Sequence, residues 1–202
     1  MNSVNKIVIS LENILVNYTD IQGNISRVAI KHAQELIESG YEVRICATIS
    51  SAEDFENKAD IIRKAFKSYN IGIDYITKNY VLSAEKLRSN ERRVINNTDK
   101  KFHTYDGQMI VVSADANDFE IQDKHINVLL RKRTNGQQVK DSNRIITIAS
   151  LAEVKDILLN VNKLVTCDEL RIPVKKMDVN VGSISMKCYK LVYKRKEYYI
   201  SL

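Results

Sequence analysis

The chain is poor in the residues that break or staple a fold: of 202 residues, one is proline, six are glycine and none is tryptophan. That scarcity excludes Pro- or Gly-rich linkers and low-complexity segments, and no internal repeat recurs at a solenoid-like period. Cysteine is scarce as well. Cys46, Cys167 and Cys188 are odd in number, widely spaced and without a CxxC pair, and only three histidines accompany them. A disulfide scaffold and a zinc cluster are therefore not expected, and a reduced, cytoplasmic compartment fits. Cys46, inside an apolar run, reads as a small buried hydrophobe. No stretch approaches the roughly 18 apolar residues that span a bilayer. The polar Asn2, Ser3 and Asn5 lead into no apolar core with a small-residue cleavage site, so neither a membrane span nor a signal peptide is expected.

What the chain does have is a hydrophobic content of 44%, enough to bury a real core in one body of ordinary size with a small appendage. Its net charge of +6 is unevenly placed. Residues 86–101 carry six basic side chains against two acidic ones, and residues 165–202 carry eight against four. Two basic stretches point to an anionic partner such as nucleic acid, against the plainer reading that the lysines are solvated faces.

Periodicity divides the chain into alternating elements. Apolar runs at 6–9, 41–46, 73–76, 109–113, 127–130 and 144–148 read as strands, the fourth rich in β-branched residues. Helical spacing is found at 26–39, through Val28, Ala29, Ala33, Leu36 and Ile37, with Gly40 closing it at C′. Further helices are expected at 51–68, 83–96 and 150–159, and turns at 115–121 and at Asn135 and Gly136. Strands alternating with helices imply βαβ units and a central parallel sheet. The tail differs: 182–202 alternates as a β-hairpin. The chain thus divides into an α/β domain at 1–162 and a basic, β-rich extension at 163–202.

Parallel sheets place their chemistry at the carboxyl ends of the strands. There Glu12 follows the first strand, and Asp115 and Asp118 follow the fourth. Three carboxylates at adjacent strand ends would make a hard oxygen site suited to Mg²⁺. The plainer alternative is that Asp115 and Asp118 are turn and cap residues.

With the elements in this order, 7–15, IVISLENIL, resembles the first motif of the haloacid dehalogenase (HAD) superfamily of phosphohydrolases. That motif is a strand ending in DxD followed by a short hydrophobic squiggle, its first Asp attacking phosphorus and its second serving as acid and base. The resemblance puts Ser10 at the nucleophile, Glu12 at the acid/base, Asn13 and Ile14 at the usual Gly and Thr, and Leu15 at the usual apolar position. In the second motif, ESGYEVRICATISS, Ala47 stands where a phosphate-holding hydroxyl is expected and Thr48 one place later. Lys86, Lys100 and Lys101 are candidates for the charge-balancing lysine. MIVVSADANDFEI is similar to the strand and acidic turn of the fourth motif, with Ala114 for Gly and one residue fewer between Asp115 and Asn117. The resemblance covers about three-quarters of the chain. It implies a Rossmannoid, three-layer fold, to which the β-hairpin extension is added, and a capless member whose open site takes large substrates.

An aspartyl-phosphate intermediate needs a carboxylate in line with phosphorus, which a serine without an activating base cannot replace. His32, His103 and His125 read as ordinary surface residues. The expected function is therefore a HAD-like binding or scaffolding component with a protein partner, one that has lost the hydrolase chemistry. Two alternatives stand beside it. One is an unorthodox Mg²⁺-dependent phosphohydrolase or phosphotransferase using Glu12, Asp115 and Asp118. The other is nucleic-acid binding through 86–101 and 165–202, with Tyr189, Tyr193, Tyr198 and Tyr199 either stacking on bases or packing the hairpin on the core.

Overall fold

The computed structural model describes residues 3–17, 24–46, 60, 64, 107–119, 124–131, 143–181 and 183–201. The expected helices at 51–68 and 83–96, the strand at 73–76 and the turn at 135–136 lie outside these residues, apart from Asp60 and Lys64, which are both helical.

Five of the six expected apolar runs form the strands of one sheet. They are β1 (Lys6–Ser10), β4 (Glu42–Cys46), β5 (Ile110–Ser113), β6 (Ile126–Leu130) and β7 (Ile145–Ile148). All neighbours are parallel, in the order β4-β1-β5-β6-β7. Between β1 and β4 come the two-residue strands β2 (Val16–Asn17) and β3 (Asn24–Ile25), paired antiparallel, and helix α1 (Arg27–Glu38). The chain leaves β1 toward β4 on one side and later returns to β5 on the other. β1 is therefore an interior strand, and its carboxyl end lies where the strand order reverses.

α1 starts where Ser26 accepts a hydrogen bond from the Ala29 amide, and buries Ala29, Ile30, Ala33 and Leu36. Val28 lies outside the buried stripe at 67% exposure, contrary to its expected place in it. The helix ends at Gly40, φ +88°, with the Gly40 amide on the Ile37 carbonyl and the Tyr41 amide on that of Leu36. That is a Schellman closure, and it needs the left-handed backbone that glycine supplies. After β7, a 3₁₀ turn (Leu151–Glu153) leads into α2 (Val154–Glu169). This helix runs ten residues past the expected end at 159. Its closure has the same pair of bonds, from Arg171 to Asp168 and from Ile172 to Cys167, but an arginine holds the left-handed position at φ 57°. Sequence offers no glycine there to read.

The expected hairpin at 182–202 forms, and a further strand before it makes the sheet three-stranded and antiparallel. β8 (Lys176–Val181) pairs with β9 (Ile184–Tyr193), which pairs with β10 (Lys196–Ile200). β9 and β10 meet at Lys194 and Arg195, both at positive φ, the two-residue primed turn that matches strand twist. Tyr189, Leu191, Tyr193, Tyr198 and Ile200 share one buried cluster with both helices and one face of the main sheet. The opposite face buries Val8, Cys46, Val111 and Leu129.

Polar clamps fix the small sheet on α2. Asp168 accepts from the Tyr189 hydroxyl at 2.6 Å and pairs with Lys176 at 2.5 Å. Glu153 accepts from Tyr193 at 3.0 Å, from Lys194 at 2.5 Å and from the Ala149 amide at 3.1 Å. Burial alone would raise the Glu153 carboxyl, but the hydrogen bonds from Lys194, Ala149 and Tyr193 outweigh it and hold the group below its ordinary value. At the far edge the Tyr199 amide donates to the Asn143 carbonyl, and buried Arg144 donates to the Tyr199 carbonyl and to the Cys188 thiol, both at 2.9 Å.

A carboxyl whose folded pKa is depressed stabilises the fold above its unfolded pKa, about 4.3, and that contribution vanishes as pH falls through the folded value. Glu153→Gln should therefore cost about 1 kcal/mol at pH 7, since Lys194 is partly screened by solvent, and less as the pH is lowered to ~3. Urea unfolding of both proteins at the two pH values measures the difference. A pH-independent gap would contradict the clamp.

Candidate functional site

The register that pairs Ile9 with Val112 leaves Ser10 and Ser113 as the last residues of adjacent strands. Both are 1% exposed. The two strands end alike, in VIS and VVS, a shared signal that could have singled out Ser113 alongside Ser10 in the sequence.

Beyond Ser10 the chain makes a tight, apolar turn. The Leu11 amide still bonds to the Cys46 carbonyl at 2.7 Å, while the Leu11 carbonyl accepts from both Leu15 and Val16, at 3.1 and 3.0 Å. Accepting from five residues ahead gives a turn wider than α-helical. Asn13 sits in it at φ 59°, a backbone that asparagine tolerates better than most side chains. Leu11, Ile14, Leu15 and Val16 are all buried, so this loop is held by packing as firmly as a strand.

Side chains at the two strand ends engage locally. The Ser10 hydroxyl donates to the Glu12 carboxylate at 3.1 Å and contacts the Glu12 carbonyl at 3.4 Å. The Ser113 hydroxyl donates to the Asp118 carboxylate and accepts from the Asp115 amide at 3.1 Å. Asp115 caps the 3₁₀ turn Ala116–Asp118 by accepting from the Asn117 amide at 2.9 Å.

The three expected carboxylates thus stand at neighbouring strand ends, each committed to its own turn. Their oxygens are the right kind of donor for Mg²⁺, but among the described residues no three His, Cys, Asp or Glu side chains gather into a group that could hold a metal.

Ala47, Thr48, Lys86, Lys100, Lys101, His103 and the basic stretch 86–101 lie outside the described residues. Of the histidines expected at the surface, His32 is half-buried on α1, its ring 2.9 Å from the Glu35 carboxylate. His125 corrects that expectation, being buried beside the start of β6. Tyr189, Tyr193 and Tyr198 follow the packing alternative: their rings lie in the core and are not offered to bases, and only Tyr199 is half-exposed. Burial raises the hydroxyls of Tyr189 and Tyr193, as does the carboxylate each one bonds.

Among the described residues, two concavities lie beside the sheet. One, of about 400 Å³, is lined by Ile14, Ile25, Val28, His32, Leu130 and Leu151, beside the carboxyl ends of β6 and β7. The other, of about 280 Å³, lies at the amino ends of β1 and β5 and includes Val4, Lys6 and Gln108. No helix among the described residues is long and apolar enough to cross a membrane. No protein-family model matches the chain, and comparison with curated proteins and with solved structures found no match.

Placing a carboxylate at position 10 would bury a charge within about 3 Å of Glu12, and both desolvation and like charge would raise its pKa. A carboxyl with a raised folded pKa weakens the fold increasingly as pH climbs through its unfolded value. Ser10→Asp should therefore cost about 2–4 kcal/mol at pH 7 and progressively less below pH ~5, while Ser10→Ala costs about 1 kcal/mol at both. Denaturant titrations across pH measure the contrast. Parallel pH profiles for the two variants would refute this account of the pocket.

Proposed function

We propose that the chain is a HAD-like domain that has lost aspartyl-phosphate hydrolase activity and acts as a binding or scaffolding component in a reduced, cytoplasmic setting. The observation that carries the reading is Ser10. It closes the interior strand β1 at the point where strand order reverses, which is where the resemblance expects the attacking carboxylate. Its hydroxyl is buried and donates to Glu12. A carboxylate is far too weak a base to ionise an alcohol, so this pair supplies no nucleophile.

Three further observations support the HAD-like part. β1 lies between β4 and β5, as a Rossmannoid sheet requires of a strand at a switch point. The wide apolar turn after Ser10 occupies the place of the squiggle. Asn13 holds positive φ at the position where the resemblance puts glycine. The free thiols Cys46, Cys167 and Cys188 agree with a reducing compartment.

The second reading is a Mg²⁺-dependent phosphohydrolase or phosphotransferase acting on a large substrate. What favours it is the placement of Glu12, Asp115 and Asp118 at adjacent strand ends, where a rearranged turn could converge them. A purified sample with millimolar Mg²⁺ and an aryl phosphate separates the two readings. The binding reading expects turnover indistinguishable from that of Glu12→Ala. Turnover that Glu12→Ala abolishes would establish the enzyme instead.

A further inference from the structure

We draw no further inference here: the strongest candidate, the cavity of about 400 Å³ between the start of α1, the apolar turn after β1 and the carboxyl ends of β6 and β7, carries nothing because its polar side chains, Ser26, His32 and Ser150, already hydrogen-bond to Ala29, Glu35 and Ala152, and nothing in the structure shows what covers it.

Discussion

The structure depends on the backbone ladder that holds β1 on both of its edges. β4 and β5 both pair with it, and its apolar residues alternate between the two cores, Ile7 and Ile9 on one face and Val8 on the other. Each such side chain contributes about 1.5–3 kcal/mol of burial, and a strand paired on both sides cannot slip register without moving all of them to the wrong face. Its start is fixed as well. The Asn162 side chain on α2 accepts from the Val4 amide at 2.8 Å and donates to the Val4 carbonyl at 3.1 Å, acting as a short piece of neighbouring strand. The positions of Ser10, Glu12 and the apolar turn all follow from this one anchored strand.

The same anchoring sets what the end of the strand presents. Acyl-phosphate chemistry requires a carboxylate exposed to the phosphoryl group, yet the side chain that closes β1 is a hydroxyl turned onto its own loop. Ser113 does the same at the end of β5. Two neighbouring strands thus finish in serines that satisfy adjacent carboxylates, an arrangement that stabilises the turns and leaves the carboxylates facing their own chain. The second sheet, by contrast, is tied to α2 by Tyr189, Tyr193, Asp168 and Glu153 and sends an amphipathic arm outward. Among the described residues β8 is one of the sheet edges with a strand neighbour on one side only.

Much of this was legible in the residues themselves. Runs such as IVI, IVV, INVLL and IIT could only be buried strands, and Ser26 and Gly40 delimit α1 because capping chemistry is local. Where tertiary context decides, the sequence is silent. α2 extends to Glu169 because Arg171 takes a left-handed backbone that nothing in its side chain announces. β8, KMDVNV, has charged and amide residues at alternate positions and becomes a strand only because β9 lies beside it. Ser113 was hidden for another reason: a strand-end serine gains meaning only when the register sets it next to Ser10. The spacing of Glu12, Asp115 and Asp118 suggested convergence, but hydrogen bonds within each turn hold them to local roles.

The central claim, a HAD-like strand end without its nucleophile, is tested most directly by trying to trap the covalent intermediate. The full chain is incubated with Mg²⁺ and an acyl phosphate donor, and its intact mass is read before and after hydroxylamine. An unmodified mass in both samples is the predicted result. A phosphoryl adduct on the wild-type chain that hydroxylamine removes would contradict it.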